Sequence, residues 1–393
     1  MTDQDYMRRA IELAKKGEGW CHPNPMVGAV IVKEGRIIGE GWHERCGELH
    51  AERNAFASLK ESAEGATIYV TLEPCCHYGK QPPCVLAIIE NKIARVVIGS
   101  RDPNPLVSGK GAAWLRSEGI LVEEDFLREE CDRLNPVFFH YITKKTPYVI
   151  MKYAMTADGK IATKTGASKW ITGEASRQKV QELRHACMGI MAGIGTVIAD
   201  DPMLNCRMKN GRSPIRIICD SSLRIPMDSR IVKTAKEYET IVVCAAKFLP
   251  EGEIGSETSD VNETETRKIE FSAKIADEKD MLRKCAMLNE AGLKVLNIPK
   301  KNGRGVDLKA LMPVLGGKNI DSILLEGGGT LNESALEADI VSEVRTFVAP
   351  KIFGGAAKTP VEGAGVEEPA QAKVMKLVNV EKIGEDLMIT YRT

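Results

Sequence analysis

Three short groups of residues in the first half of the chain could together bind a metal ion. They are His50-Ala-Glu52, Pro74-Cys75-Cys76 and Pro82-Pro-Cys84. One imidazole and two thiolates suit Zn²⁺, and three protein ligands leave the fourth tetrahedral position to water, as in catalytic zinc sites. The metal lowers the pKa of that water, so hydroxide becomes available at neutral pH. Glu52 is then placed to transfer protons, as the non-ligand glutamate of a zinc deaminase does.

A structural zinc site is the alternative that these residues leave open. In such a site Cys76 or His77 would be the fourth ligand, and the ion would not activate water. The short deaminase signature is Pro-Cys-x-x-Cys, whereas eight residues separate Cys75 from Cys84 here. We favour the catalytic site, because the three groups together fall at predicted strand-to-helix junctions.

The elements that must position these groups alternate between strands and helices. The apolar pattern predicts helices over 3–17, 50–59 and 85–91, a hairpin with strands over 27–32 and 37–38, and further strands over 67–71 and 95–99. This alternation is typical of an α/β sandwich.

A second α/β region is predicted from about residue 147 onward, with strands over 149–153, 215–220, 240–245 and 322–326. Glu326-Gly-Gly-Gly-Thr330 follows the last of these strands and precedes a predicted helix over 331–337. Glycines there admit a ligand close to the backbone, and free N–H groups at a helix start attract phosphate. A plain tight turn is the alternative interpretation.

Two other stretches of this region carry weaker signals. Gly193-Ile-Gly195 matches the dinucleotide-binding fingerprint only in part. The run over 251–266 contains six acidic residues and no basic one. We interpret it as a solvated, mobile insertion without a catalytic role.

Composition excludes several other classes of protein. The chain has 393 residues, 54 basic and 54 acidic, and only 8 Phe, 4 Trp and 8 Tyr. Zero net charge and few aromatic residues argue against a nucleic-acid partner. The longest apolar stretch, 186–199, is too short to cross a bilayer, and the N-terminus lacks the pattern of a secretory signal. We therefore expect a cytoplasmic protein whose eleven cysteines are reduced and which has no membrane partner.

The metal-binding groups resemble the deaminase half of the bifunctional deaminase–reductases of riboflavin biosynthesis. The resemblance rests on His50-Ala-Glu52 and on the stretch Thr71-Leu-Glu-Pro-Cys-Cys-His-Tyr-Gly-Lys-Gln-Pro-Pro-Cys84. In that family an excursion of this kind separates the two cysteines. The resemblance implies that His50, Cys75 and Cys84 bind zinc and that Glu52 is the proton donor and acceptor.

Another stretch of the first half, Cys21-His-Pro-Asn-Pro-Met-Val-Gly28, is similar to the Asn-Pro-x-Val-Gly segment of the same family. This similarity implies that Asn24 hydrogen-bonds the pyrimidine of the substrate. It also makes His43 and Lys80 candidates for substrate contact. From the residues alone, His43 would be an ordinary histidine at the end of the hairpin.

The second half of the chain resembles the reductase half of that family. The stretches that carry the resemblance are Lys152–Lys160, Ser168–Thr172, Gly193–Arg207, Asp220-Ser221 and Leu325–Gly328. They imply a dihydrofolate-reductase-like fold that binds NADPH. The cofactor residues implied are Ala154, Trp170, Thr196, Asp200, Ser221, Gly328, Gly329, Thr330, Leu331, Asn332, Glu333 and Ser334. The substrate residues implied are Ser168, Arg184, Leu204, Arg207 and Glu326.

The combined prediction is a cytidine-deaminase-like α/β/α sandwich over 1–146 and a dihydrofolate-reductase-like α/β domain over 147–393, with the acidic insertion at about 251–282. The expected reactions are zinc-hydroxide deamination of a diamino-hydroxy-phosphoribosylamino-pyrimidine, followed by NADPH reduction of the ribosyl group to ribityl. Arg184 and Arg207 are expected to clamp the ribose phosphate. The family resemblance also implies a homo-oligomer.

Two other functions remain open at this point. One is a nucleoside or nucleic-acid deaminase with an accessory binding domain, and the other is a non-catalytic, zinc-stabilised assembly protein. The NADPH-like segments argue against the first, and the presence of Glu52 argues against the second.

Overall fold

The computed structural model describes residues 1–79, 81–104, 107–246, 248–254, 271–300, 303 and 305–393, with only the helical backbone over 271–277. The described chain divides into two compact units, Met1–Lys145 and Thr146–Thr393.

The N-terminal unit is built around a sheet with strand order β2-β1-β3-β4-β5. In chain order its elements are α1 (Asp3–Lys15), β1 (Gly28–Lys33), β2 (Arg36–Trp42), α2 (Ala51–Ala57), β3 (Thr67–Leu72), α3 (Cys84–Glu90), β4 (Arg95–Ser100), α4 (Lys110–Ser117), β5 (Leu121–Glu123), α5 (Arg128–Asp132) and α6 (Pro136–Lys144). β1 is antiparallel to β2 and β3, whereas β3, β4 and β5 are parallel.

Both faces of this sheet are covered by helices. Val30 of β1 packs with Met7 and Ile11 of α1 on one face, and Ile31 packs with Ala55 of α2 on the other. A strand buried on both faces needs a continuous apolar run, which explains the sequence of β1. α1 begins with a capping box between Thr2 and the third helical residue. The unit is therefore an α/β/α sandwich, as predicted.

The C-terminal unit contains a longer sheet with strand order β10-β11-β9-β8-β7-β12-β6-β13-β15-β14. In chain order its elements are β6 (Tyr148–Thr156), α7 (Glu174–Ala186), β7 (Gly189–Gly193), α8 (Ile194–Asp200), β8 (Ile215–Cys219), α9 (Arg230–Lys233), β9 (Thr240–Cys244), β10 (Gly252–Ile254), α10 (Phe271–Glu290), β11 (Lys294–Asn297), α11 (Leu308–Gly317), β12 (Ser322–Leu325), α12 (Gly329–Glu337), β13 (Val341–Ala349), a short 3₁₀ helix (Pro369–Gln371), β14 (Lys376–Ile383) and β15 (Asp386–Arg392).

The strands from β11 to β13 in this order are parallel, and the outer pairs are antiparallel. The carboxyl ends of the parallel strands consequently lie along one edge of the sheet. Ligands bind at this edge in open α/β sheets.

One part of the predicted acidic insertion differs from the expectation. Gly252–Ile254 pairs with β11 as a strand, and Ile254 is buried in the core. The interpretation of 251–266 as wholly solvated is therefore wrong for these three residues, because they extend the sheet along β11. Residues 255–270 lie outside the described part of the chain, and the helix α10 follows them.

Across the described residues, the helices are too short or too polar to cross a membrane.

Candidate active sites

The three predicted zinc ligands come together in the N-terminal unit. His50 is the N-cap of α2, Cys75 follows β3, and Cys84 is the first residue of α3. The Nδ1 atom of His50 lies 3.6 Å from the Sγ atom of Cys75 and 3.4 Å from that of Cys84. Ligand atoms around a tetrahedral zinc ion are about 3.5–3.8 Å apart, given the usual Zn–N and Zn–S bond lengths. The donor set and its spacing therefore fit one zinc ion.

A fourth protein ligand does not join this group in the described part of the chain, where the candidate cluster contains only His50, Cys75 and Cys84. Cys76 packs against the apolar cluster between the sheet and its helices. His77 is a separate feature: its Nδ1 atom is buried and has no hydrogen-bond partner among the described residues. The arrangement thus supports a catalytic rather than a closed structural site.

Glu52 lies in the first turn of α2 beside this cluster and is only 3% exposed. Burial raises the pKa of its carboxyl, and the neighbouring Cys75 thiol adds to that rise. A buried carboxyl with a raised pKa can both accept and return a proton during a reaction. Its position fits the proton transfer predicted for it.

Asn24 and His43 are hydrogen-bonded to each other in the same unit. The Nδ1 atom of His43 lies 3.0 Å from the carbonyl oxygen of Leu49, which can only accept, so Nδ1 carries the proton. Burial lowers the pKa of His43 and favours the neutral ring. Its Nε2 atom then accepts from the amide nitrogen of Asn24 at 3.2 Å. This chain of bonds fixes the orientation of the Asn24 amide. Lys80 lies outside the described residues.

Glu73 is a buried residue whose role the sequence interpretation missed. It accepts from the backbone N–H groups of Gly109 at 3.0 Å and Gly111 at 3.1 Å, where α4 begins. Glu73 is 4% exposed and stands immediately before Pro74 and the predicted ligand Cys75. Glu73 therefore ties the Cys75 loop to α4. Its place within the Leu-Glu-Pro-Cys stretch was the available signal.

The predicted cofactor residues of the C-terminal unit gather at the carboxyl edge of the parallel strands. Thr196 and Asp200 lie in α8 directly after β7, Ser221 follows β8, and Ala154 is near the end of β6. The segment from Gly328 to Ser334 forms the turn after β12 and the first part of α12. The structure thus brings together residues from four neighbouring strands.

The chemistry of this edge fits a dinucleotide. A Cβ atom placed on Gly195 or Gly328 would meet no atom within 4 Å, so open space lies beside the backbone at both positions. Asn332 is 1% exposed, and its Oδ1 atom has no partner among the described residues. A buried amide oxygen of this kind can accept a hydrogen bond from a bound ligand.

Trp170 and Ser168 lie in the loop between β6 and α7. The Trp170 ring is 63% exposed, and the guanidinium of Arg177 stacks over it at 4.8 Å. The Lys351 ammonium donates to the carbonyl oxygens of Trp170 at 3.0 Å and Ile171 at 2.7 Å. Lys351 therefore fixes this loop, and the sequence interpretation did not identify it.

Arg184 and Glu326 form a buried ion pair. The Nε and Nη2 atoms of Arg184 donate to the two carboxylate oxygens of Glu326 at 2.7 and 3.1 Å, and Nη1 donates to the carbonyl of Asn205 at 3.1 Å. Burial opposes ionisation of Glu326, but the charges of Arg184 and Lys152 outweigh it and lower its pKa to about 2. The prediction that Arg184 clamps a phosphate is not supported, because Glu326 already occupies its bidentate edge.

The other two predicted substrate residues differ in environment. Leu204 is 3% exposed and packs in the core with Val197 and Ile218. Arg207 is exposed, and its backbone N–H donates to the side-chain oxygen of Gln181 at 3.0 Å. Of the two arginines, only Arg207 has a guanidinium at the surface.

Comparison with known proteins agrees with this geometry. Residues 1–100 match the cytidine and deoxycytidylate deaminase zinc-binding region, and residues 147–389 match the RibD C-terminal domain. The chain is 52% identical to riboflavin biosynthesis protein RibD of Actinobacillus pleuropneumoniae, covering 100% of this chain and 95% of that protein. It is 36% identical to RibD of Escherichia coli, covering 99% of each chain.

Solved structures show the same likeness over the whole chain. Acinetobacter baumannii RibD is 34% identical with a TM-score of 0.82. The diaminohydroxyphosphoribosylaminopyrimidine deaminase/5-amino-6-(5-phosphoribosylamino)uracil reductase of Thermotoga maritima is 37% identical with a TM-score of 0.79. In both cases the match covers 99% of this chain and 98% of the other.

These matches confirm the two predicted folds and the pairing of a zinc-dependent deaminase with an NADPH-dependent reductase. They do not favour a nucleic-acid deaminase or a non-catalytic assembly protein. The chain belongs to the RibD family of bifunctional deaminase–reductases of riboflavin biosynthesis.

Proposed function

We propose that residues 1–146 deaminate the diamino-hydroxy-phosphoribosylamino-pyrimidine, with His50, Cys75 and Cys84 holding zinc and Glu52 moving the protons. The convergence of these three ligand atoms beside a buried carboxyl carries the proposal. These three residues would hold a zinc ion, which would lower the pKa of a bound water molecule and so provide a nucleophile at neutral pH.

The protein side chains transfer the protons and orient the substrate. Glu52 accepts the proton of the nucleophile and delivers a proton to the departing amino group, so that water and the amine become a carbonyl and ammonia. The amide of Asn24, oriented by His43, hydrogen-bonds the pyrimidine edge. Lys80 is retained as a substrate residue from the family resemblance alone.

We propose further that residues 147–393 reduce the ribosyl group of the deaminated product. NADPH bound by this unit would supply the hydride needed to reduce the open-chain C1′ carbonyl to an alcohol. The residues proposed to bind the cofactor are Ala154, Trp170, Thr196, Asp200, Ser221, Gly328, Gly329, Thr330, Leu331, Asn332, Glu333 and Ser334. Those proposed to bind the substrate are Ser168, Leu204 and Arg207, with the Arg184–Glu326 pair beside them.

Arg207 is the residue we assign to the substrate phosphate in the reductase site. Its guanidinium is at the surface, whereas that of Arg184 is held by Glu326. The Arg184–Glu326 pair is assigned a positioning role, in which it holds the end of β12 against α7.

The test follows ammonia and NADPH together in one purified, zinc-loaded sample. Adding the diamino substrate should release ammonia first, and NADPH absorbance should fall only after the deaminated intermediate forms. Supplying that intermediate directly should remove the delay. Cytidine in place of the phosphoribosyl substrate serves as the control, and deamination of cytidine at a similar rate would contradict the proposed substrate.

We also propose a cytoplasmic homo-oligomer that acts on a small molecule, without a nucleic-acid or membrane partner. The eleven cysteines form no disulfide with one another, as expected in a reducing compartment. β14 lies at the edge of the sheet and exposes Leu377 and Val380, and an apolar edge strand can pair with a second copy. Light scattering should show an oligomer, and the double variant Leu377→Lys/Val380→Lys should have a lower molecular mass in solution.

A further inference from the structure

A short segment of the C-terminal unit contacts the proposed NADPH site, although no sequence signal pointed to it. We call residues Thr359–Gly363, which lie between β13 and β14, the α12 strap. The N–H of Glu362 donates to the carbonyl of Gly329 at 3.2 Å, and the side-chain nitrogen of Asn332 donates to the carbonyl of Pro360 at 2.8 Å. The strap therefore lies across the first turn of α12.

The carboxylate of Glu362 is held at this first turn. The hydroxyl of Thr330 donates to its Oε2 atom at 3.0 Å, and the Glu362 side chain lies against Gly329, where a Cβ atom would collide with it. A helix start favours a negative group because the positive end of the helix dipole is there. Glu362 supplies such a negative group from outside the helix.

The same turn carries an independent sign of an expected ligand. The Oδ1 atom of Asn332 is buried without a partner among the described residues, and it would lie 2.7 Å from a Cβ atom placed on Gly327. It thus points into the glycine turn after β12. A hydrogen-bond donor on a bound molecule would satisfy this oxygen, which is otherwise buried and unpaired.

Resting on the proposed NADPH site, we propose that Glu362 competes with a phosphate of the cofactor for the first turn of α12, so that the strap opens when NADPH binds. The Thr330 hydroxyl has one hydrogen and cannot donate to both anions at once. Two negative groups against one helix turn also repel each other. Cofactor binding and strap release are therefore coupled.

The backbone of the strap permits such a movement. Gly363, directly after Glu362, has a φ of 107°, and Gly365 has a φ of 72°. Glycine adopts these angles without the steric cost that a side chain imposes, and it changes between conformations readily. A change of these two glycine angles would displace the strap without unpairing β14, which begins at Lys376.

The test compares NADPH dissociation constants of the full-length wild type, Glu362→Gln and Glu367→Gln, measured by calorimetry. The Glu362→Gln variant keeps a side-chain oxygen as acceptor for Thr330 but removes the charge, so NADPH should bind about three- to tenfold more tightly. Glu367 is an exposed acid of the same connection, and its variant should stay within about twofold of wild type. The gain at position 362 should shrink as salt is added.

Hydrogen exchange of the wild type provides a readout that does not depend on catalysis. NADPH should speed exchange of the Glu362 amide, which loses its bond to Gly329. Unchanged or weaker NADPH binding by Glu362→Gln, or slower exchange of the Glu362 amide with NADPH, would refute the proposed competition. The strap would then be a fixed part of the cofactor site. A wild type that binds no NADPH would instead refute the proposed cofactor site itself.

Discussion

Replacing Arg184 by Met tests whether this residue serves the fold or the substrate phosphate. In the structure its guanidinium is engaged by Glu326 and by the carbonyl of Asn205. The variant would leave the Glu326 carboxylate buried with only Lys152, whose Nζ atom lies 3.6 Å away. Removing one member of a buried ion pair typically costs about 3–5 kcal/mol.

The pKa of Glu326 gives a second figure, for the combined effect of Arg184 and Lys152 on its carboxylate net of burial. Its value of about 2 in the folded protein lies below the ordinary 4.5. A shift of this size corresponds to roughly 3 kcal/mol of stability. Because the folded pKa is the lower one, this contribution is fully present above the ordinary value and is lost as the pH falls from about 4.5 to about 2.

We therefore expect Arg184→Met to lower the free energy of unfolding of the C-terminal unit by about 3 kcal/mol at pH 7. The difference from wild type should diminish as the pH falls from about 4.5 towards 2. Since the chain has two units, the measurement should follow amide exchange of β6 and β12 in increasing urea, rather than one global signal.

Arg207→Met is the matched control, because it removes the same charge from an exposed position. It should change stability by less than about 0.5 kcal/mol and weaken binding of the phosphorylated substrate by about 1.5–3 kcal/mol. The double variant Arg184→Met/Glu326→Gln should regain part of that stability, since no buried carboxylate is left without Arg184, whereas Lys152 loses its ion-pair partner. Equal stability of the two single variants, with a raised KM for the phosphorylated substrate in Arg184→Met alone, would contradict this expectation. Arg184 would then be a phosphate-binding residue.

Three further outcomes are expected. Glu52→Gln should keep zinc, by metal analysis, but lose about 10²–10⁴-fold of the rate of ammonia release, and an unchanged rate would remove its proton-transfer role. His50→Ala should lose zinc and ammonia release yet still oxidise NADPH when given the deaminated intermediate; loss of both activities in a folded protein would contradict two separate sites. Arg216→Met should lower the free energy of unfolding of the C-terminal unit, measured in urea, by about 3–5 kcal/mol. The reason is that the fully buried guanidinium donates to Thr240, Thr234 and three backbone carbonyls. A smaller loss would show that these acceptors find other partners.

The group of His50, Cys75 and Cys84 could be predicted from the sequence because these residue types alone indicate zinc-binding chemistry. His50 and Cys75 are 25 residues apart, and Cys75 and Cys84 are nine apart. Each lies at the end of a strand or the start of a helix, and such junctions can be predicted from apolar patterns. The helices and strands between these three residues are short, so the junctions that carry them lie close together in the fold.

The partners of charged residues could not be predicted in the same way. Arg184 and Glu326 are 142 residues apart, and the sequence contains 54 candidates of each sign. Which cation meets which anion depends on the order of strands in the sheet. The prediction of a phosphate-binding Arg184 rested on the family resemblance and on guanidinium chemistry, and neither indicated that Glu326 pairs with it.

The predicted strands were too short where a strand contains residues that carry no apolar signal. The second hairpin strand was predicted over 37–38, whereas β2 extends over Arg36–Trp42. Gly39 and Gly41 interrupt the alternation of side chains, because α2 packs closely against them; a Cβ atom on Gly39 would lie 2.6 Å from the carbonyl oxygen of Ala55. β10 was missed because its three residues stand at the edge of an acidic run.

The placement of the three proposed zinc ligands would link metal content to folding of the N-terminal unit. Each proposed ligand belongs to a different junction, at the start of α2, after β3 and at the start of α3. An ion that binds the folded arrangement and not the unfolded chain shifts the equilibrium towards the former in proportion to its free concentration. The melting temperature of the N-terminal unit should therefore rise with the free zinc concentration, whereas that of the C-terminal unit should not change.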